Sequence, residues 1–107
     1  MTQLQFYEIT KWQKETFGSA TALSKIAHLK EEIKELEFDL ENNNEESKRL
    51  EFADCFILLF GAAAADGWYF EDICNAIEDK MQINYKRKWG KPKENGVINH
   101  IKTENHE

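Results

Sequence analysis

Residues 21–41 read TALSKIAHLKEEIKELEFDLE, and their hydrophobic spacing sets the fold class. The apolar positions recur at intervals of 3, 4, 3 and 4, the pattern of a helix that packs one face against another helix. These positions are Ile26, Leu29, Ile33, Leu36 and Leu40. Runs of β-branched residues are missing from the whole chain, and Pro92 is its one proline. The sequence therefore predicts an all-α protein.

Four helices are predicted, and we expect them to form a bundle. Their expected ranges are Thr2 to Thr16, Thr21 to about Glu41, a third helix from the Asn42–Asn44 break to about Asp66, and a fourth from Tyr69 or Glu71 to about Lys88. Asn43 and Glu46 are expected to form a capping box at the start of the third helix.

The length of 107 residues suits one domain, predicted over residues 1–92, with residues 93–107 as a C-terminal tail. Such a small domain leaves much of its surface in water, so oligomerisation would help it. The longest apolar run, Cys55 to Ala65, is too short for a bilayer, which needs about 20 residues. Because this helix is apolar on every side, we expect part of it to face another subunit.

Composition excludes some classes of partner. The net charge is −6 and the pI about 5.1, whereas proteins that bind polymeric nucleic acid or membrane surfaces present basic footprints. Cys55 and Cys74 lie inside helical patterns and are expected to be buried, reduced thiols. This use of cysteine, with no signal pattern at the N-terminus, predicts a cytoplasmic protein.

Two acidic segments carry the main chemical signal. The second helix contains EEIKE at residues 31–35, and the third contains EFAD at residues 51–54. Glu32 and Glu35 share a flank of one helix, and Glu51 and Asp54 share a flank of the other. If the two helices pack antiparallel, four carboxylates converge, and like charges about 5 Å apart repel by roughly 3 kcal/mol at an effective dielectric near 20. Such a cluster needs raised pKa values or a hard cation such as Mg²⁺, which commonly accompanies a phosphate-bearing substrate.

Other polar residues on the second and fourth helices extend this signal. The second helix carries a polar stripe of His28, Glu32, Glu35 and Asp39, while Lys25, Lys30 and Lys34 are assigned to its solvated face. The fourth helix has an inward seam that is apolar at its start and ends in Lys80, Asn84 and Arg87. Such a seam places cations near the carboxylates or near bound phosphates.

Taken together, these motifs resemble those of the MazG-like, all-α nucleoside triphosphate pyrophosphohydrolases. The shared elements are EEIKE, EFAD and the later pattern K-x-x-x-N-x-x-R over residues 80–87. The small phage and bacterial branch described as dATP/dGTP pyrophosphohydrolases is the most similar, through ETFG at 15–18, HLKEE at 28–32 and WGKP at 89–92. The similarity extends over residues 12–100.

The resemblance implies Mg²⁺-dependent hydrolysis of a (deoxy)nucleoside triphosphate, expected to be dATP or dGTP, to the monophosphate and pyrophosphate, with Mn²⁺ able to substitute. It implies the metal ligands Glu32, Glu35, Glu51 and Asp54, with Glu31 or Glu35 as general base. It implies that Lys80, Asn84 and Arg87 bind the nucleotide. The base is expected in a slot near Trp12, Phe17 and His28, and relatives form homodimers or homotetramers.

Two other interpretations remain open at this point. A carboxylate-bridged di-iron bundle also places glutamates inside four helices, but it uses Glu-x-x-His pairs, and neither Glu32 nor Glu51 has a histidine three residues later. A non-enzymatic helical interaction or regulatory protein would tolerate loss of the carboxylates and bind no divalent ion.

Overall fold

The computed structural model describes residues 1–102. It contains four α-helices: α1 (Gln3–Thr16), α2 (Ala22–Glu41), α3 (Glu45–Ala65) and α4 (Phe70–Lys86). Within the described residues, the β structure is limited to an isolated antiparallel bridge between Trp89 and His100. The all-α, four-helix prediction is therefore confirmed. The described part of the chain divides into two compact units, residues 1–73 and the residues from 74 onward.

Local capping residues define where the first two helices begin. The Thr2 hydroxyl accepts a hydrogen bond from the Gln5 backbone at 3.1 Å, and the Gln5 side chain accepts one from the Thr2 backbone at 2.8 Å. Thr21 and Ser24 form the same reciprocal pair at the start of α2, at 3.0 and 2.8 Å. Each pair satisfies two backbone N–H groups that a helix start would otherwise leave without partners.

The turn between α2 and α3 differs from the predicted capping box. Asn43 has a φ of 55°, in the left-handed region, and Asn44 is the N-cap residue without a side-chain capping bond. The Asn44 amide instead donates to Asp39 Oδ1 at 3.3 Å, and Ser47 Oγ donates to Asp39 Oδ2 at 2.7 Å. The predicted pairing of Asn43 with Glu46 is therefore wrong, because buried Asp39 holds this turn from the end of α2.

Helices α2 and α3 form an antiparallel hairpin, and α1 packs against α3. Phe6 of α1 is buried, and its ring lies 5.7 Å from that of Phe60 and 5.4 Å from that of Phe70, between centroids. Among the described residues, the buried apolar side chains are Phe6 and Ala62, so the apolar core is small, as expected for a domain of this size.

A polar contact brings α1 especially close to α3. Gln13 is buried, and its Nε2 donates to the Ile57 carbonyl at 3.0 Å. A Cβ added at Gly61 would overlap the Gln13 amide, which explains the glycine within the apolar run. Lys25 Nζ in turn donates to Gln13 Oε1 at 3.0 Å, and Lys25 is only 7% exposed. The assignment of Lys25 to the solvated face of α2 is therefore wrong.

In the second unit, the chain after α4 folds back on itself. Gly90 N donates to Asn99 O at 2.9 Å, and Ile101 N donates to Lys88 O at 2.7 Å. The Trp89 and His100 rings meet edge to face at 6.1 Å. The part of the predicted tail that is described, up to residue 102, is thus held by backbone hydrogen bonds, while residues 103–107 lie outside the described range.

The chain has two cysteines, Cys55 and Cys74. Both thiols are free, but Cys55 is half-buried and Cys74 is exposed, so the expected burial of Cys74 is wrong. Within the described part of the chain, every helix is too short or too polar to cross a membrane.

Candidate active site

Three carboxylates from α2 and α3 meet in the first unit. Glu32, Glu35 and Glu51 each offer one oxygen, and these oxygens all lie within 4.8 Å of one another. Glu32 and Glu35 are one turn apart on α2, and the antiparallel hairpin places Glu51 of α3 opposite them. The convergence predicted from the two acidic segments therefore holds for these three residues.

The electrostatics of this group show that it is under repulsion. The pKa of Glu51 is raised from 4.5 to about 7, first by a hydrogen bond shared with the Glu32 carboxyl, then by burial and by the charges of Glu32 and Glu35. Glu51 Oε2 is buried and has no hydrogen-bond donor among residues 1–102. Without a cation, this carboxyl holds a proton up to neutral pH.

The donor set fits a hard divalent cation. It consists of carboxylate oxygens, which Mg²⁺ and Mn²⁺ prefer over softer ligands. The neighbouring Cys55 offers no thiolate, because burial and then the charges of Glu51, Glu32 and Asp54 raise the pKa of its thiol. A cation at the three oxygens would replace the proton on Glu51 and remove the repulsion.

Two predicted carboxylates lie outside the three-oxygen group. Asp54 is exposed and follows Glu51 by three residues on α3, and it is not among the oxygens within 4.8 Å. Glu31 is also exposed. As the neighbour of Glu32 in a helix, it projects about 100° away from it around the axis.

Of the predicted base-binding residues, His28 lies beside an acid of the cluster, and Trp12 and Phe17 lie against each other. His28 Nε2 is 3.4 Å from Glu32 Oε1, one helical turn along α2. The Trp12 and Phe17 rings are in edge-to-face contact at 5.7 Å between centroids, and both side chains remain partly exposed.

The predicted phosphate-binding residues lie in the second unit. Lys80 is exposed, whereas Asn84 and Arg87 are half-buried. The Asn84 carbonyl accepts hydrogen bonds from Arg87 N at 3.3 Å and from Trp89 Nε1 at 3.2 Å, which ties the end of α4 to the segment after it. The approach of Lys80, Asn84 and Arg87 to the carboxylates remains a prediction.

The first unit also contains a cavity of about 640 Å³, and Phe17 of the expected base slot lines it. Its walls include the aromatic residues Tyr7, Phe17 and Trp68, and its polar lining includes Gln13 and Lys25.

One sequence signal could have identified Lys25 as a residue of this cavity. It precedes Glu32 by seven residues, which is two helical turns, and so it shares the face of α2 that turns toward α3.

This chain is similar to known proteins over nearly its whole length. The family described as dATP/dGTP pyrophosphohydrolase matches residues 6–107. A solved structure, the cyanophage S-2L MazG-like pyrophosphohydrolase bound to dGDP and three catalytic Mn²⁺ ions per active site, is 31% identical to this chain. It superposes with a TM-score of 0.74, and the match covers 94% of this chain and 98% of that one. No curated protein sequence matches significantly.

These matches set aside the di-iron and non-enzymatic interpretations, because they extend over nearly the whole chain and include the acidic segments. The structural relative carries divalent metal ions at its active site, and the carboxylate oxygens described above are suited to such ions. The chain belongs to the dATP/dGTP pyrophosphohydrolase family and is a nucleoside triphosphate pyrophosphohydrolase.

Proposed function

We propose that this enzyme hydrolyses a purine deoxynucleoside triphosphate, dATP or dGTP, to the monophosphate and pyrophosphate, with Mg²⁺ as its metal and Mn²⁺ able to substitute. The observation that carries the proposal is the convergence of Glu32, Glu35 and Glu51 oxygens within 4.8 Å. The family description and the dGDP and Mn²⁺ of the cyanophage relative support the same chemistry.

The carboxylates have two proposed roles at the reacting phosphate, metal binding and general-base catalysis. Glu32, Glu35 and Glu51 would hold the metal, and Asp54 would join them from the next turn of α3. When bound, the divalent ions polarise the phosphate oxygens and lower the pKa of a bound water. Glu31 or Glu35 accepts the proton of the attacking water as general base.

Cationic and aromatic residues bind the rest of the nucleotide. Lys80 and Arg87 neutralise charge that develops on the leaving pyrophosphate, and Asn84 donates to the phosphates or sugar. Trp12 and Phe17 offer aromatic faces to the base.

His28 is placed to act on the acids as well as on the base. Its Nε2 lies 3.4 Å from Glu32 Oε1, beside the cluster, and we also assign it to the base slot. Its imidazole would orient the Glu32 carboxylate toward the metal.

We further propose that the active enzyme is a homodimer or homotetramer that forms through α3. Large apolar side chains of α3 remain in contact with water in the single chain: Phe52, Phe56 and Leu59 are 42%, 59% and 50% exposed. Burying them against another copy gains roughly 25 cal/mol per Å². Light scattering during size-exclusion chromatography should give a mass of two or four chains.

The decisive experiment is product analysis. The protein is incubated with each canonical NTP and dNTP and Mg²⁺, and nucleotide and phosphate products are separated. We expect dNMP and pyrophosphate from dATP or dGTP, complete loss of turnover with EDTA, and loss in Glu32→Ala and Asp54→Ala. Glu37→Gln serves as a control, since Glu37 is an exposed acid of α2 outside the cluster. Release of dNDP and orthophosphate would contradict the proposed cleavage position, and normal turnover in both alanine variants would contradict the proposed site.

A further inference from the structure

Lys25 is a buried cation whose hydrogen-bonding capacity is mostly unused. It is 7% exposed, and burial lowers the pKa of its ammonium group. Within residues 1–102, its Nζ has one hydrogen-bond acceptor, Gln13 Oε1, and no carboxylate within ion-pair distance. The Phe17 ring lies 5.5 Å from Nζ. An ammonium group has three N–H donors, so two of them are available to another molecule.

This cation lines the 640 Å³ cavity, together with aromatic side chains suited to a planar ligand. Buried polar groups normally have partners, and an unpaired one in a cavity indicates a site for a ligand or for ordered water. The Phe17, Tyr7 and Trp68 side chains supply the apolar and aromatic walls that a purine ring requires.

The position of Lys25 along α2 matches the length of a nucleotide. It lies seven residues before Glu32 on the same helical face, a distance of about 10 Å along the axis. A nucleotide with its α-phosphate at the carboxylates can therefore extend its base along α2 and place the outer edge of the ring at Lys25.

We infer that Lys25 donates hydrogen bonds to the O6–N7 edge of a guanine base, so that the enzyme prefers dGTP to dATP. This inference rests on the proposed function, because it assumes that the phosphates bind at the carboxylate cluster.

The fixed orientation of Gln13 gives the preference its physical basis. Its Oε1 accepts from Lys25 and its Nε2 donates to Ile57 O, so both ends of the amide are engaged. The Lys25 ammonium group therefore keeps its remaining N–H donors for the cavity, while Gln13 Oε1 is already bonded to it. Guanine offers two adjacent acceptors, O6 and N7, which a lysine can bind together, whereas adenine has a donor, N6–H₂, beside its N7. Adenine would direct its amino group at the buried ammonium group.

Substrate analogues test the inference with the unaltered protein. We expect kcat/KM for dGTP and for dITP, which keeps O6 and N7 but lacks the 2-amino group, to exceed that for dATP by about tenfold or more. The analogue 7-deaza-dGTP, which lacks N7, should lie between dGTP and dATP. Hydrolysis of dITP at the rate of dATP would overturn the inference.

Variants of two lysines on the same helix provide the matched comparison. Lys25→Met removes the charge and keeps most of the aliphatic stem, and we expect it to lower the ratio of dGTP to dATP kcat/KM at least about tenfold. Lys30→Met makes the same change at an exposed position outside the cavity and should keep the wild-type ratio. A Lys25→Met enzyme that loses activity equally toward both substrates would show a purely structural role and overturn the inference.

The inference can also fail separately from the proposed function. If wild-type protein hydrolyses no dNTP, the proposed function fails, and calorimetry with dGDP and dADP in the presence of Mn²⁺ still measures base preference. Tighter binding of dGDP that is lost in Lys25→Met supports the inference, and equal binding of the two diphosphates contradicts it.

Discussion

Replacing Glu51 by glutamine should stabilise the metal-free enzyme and abolish its stabilisation by metal. Two carboxylate charges 4.8 Å apart repel by about 3 kcal/mol at an effective dielectric of 20 and by about 1 kcal/mol in bulk water. Since Glu35 is exposed and the group is partly solvated, the lower value applies. Glutamine removes the charge and keeps the shape and a hydrogen-bond donor for Glu32. We therefore expect Glu51→Gln to be more stable than wild type by about 1 kcal/mol at pH 8, a rise of about 4 °C in Tm for a domain of this size.

The pH dependence of the metal-free protein follows from the same group. Because the pKa of Glu51 is about 7 in the folded state and ordinarily 4.5, the folded protein binds the proton more tightly than the unfolded chain. Its contribution to stability is fully present below about pH 4.5 and is lost as the pH rises through about 7. The wild-type Tm in EDTA should therefore fall between pH 5 and pH 8, and that of Glu51→Gln should fall less.

Bound Mn²⁺ should reverse the order of thermal stability of the wild type and Glu51→Gln. With Mn²⁺ at pH 8, wild-type Tm should rise, because the ion binds the folded state and neutralises the cluster. Glu51→Gln should gain little. Glu37→Gln controls for the loss of one negative charge from the surface. Differential scanning calorimetry in EDTA and in Mn²⁺ over pH 5 to 8 measures all three proteins. The reasoning is refuted if metal-free Glu51→Gln is no more stable than wild type at pH 8, or if both gain equally from Mn²⁺.

Three further outcomes are expected. Gly61→Ala should lower the free energy of unfolding, measured by urea titration, by about 1–3 kcal/mol, because a methyl group at this position overlaps the Gln13 amide. The control variant Gly18→Ala should change the free energy of unfolding by much less, because its added methyl group meets only an ordinary contact. Asp39→Ala should lower the free energy of unfolding by about 1–3 kcal/mol in the same titration, because it leaves the Ser47 hydroxyl without its acceptor. The Mn²⁺ affinity of this variant, measured by calorimetry, should be nearly unchanged. Between pH 7 and pH 6, Mn²⁺ affinity should fall by up to about tenfold as the proton competes for Glu51; an affinity independent of pH in this range would contradict the raised pKa.

The acidic site shows which features of a site can be predicted from the spacing of residues in the sequence. The three-residue spacing of Glu32 and Glu35 placed them on one flank of α2, and the approach of Glu51 followed on the condition that α2 and α3 pack antiparallel. The same spacing also predicted Asp54 in the cluster, but the structure places it outside the three closest oxygens. Membership in such a cluster depends on helix rotation and rotamer, which spacing does not specify.

For Lys25, the prediction from the sequence was wrong. Its charge indicated the solvated face, yet it lies on the face of α2 that also carries Glu32 and Asp39, at intervals of seven residues. Its burial is possible because Gln13 supplies an acceptor, and Gln13 is itself held by Ile57, 44 residues away in the chain. Hydropathy alone could not reveal a cation stabilised by such a distant partner.

By itself, the sequence determined the four helices, their approximate ends and the identity of the acidic segments, because helix periodicity, capping threonines and turn glycines act within a few residues of the chain. Tertiary structure alone decided that Asp39 rather than Asn43 organises the α2–α3 turn, that Gly61 makes room for Gln13, and that Lys25 faces a cavity. These features depend on which atoms of distant segments meet, and that is set by the close packing of α1 and α2 against α3 rather than by any local pattern.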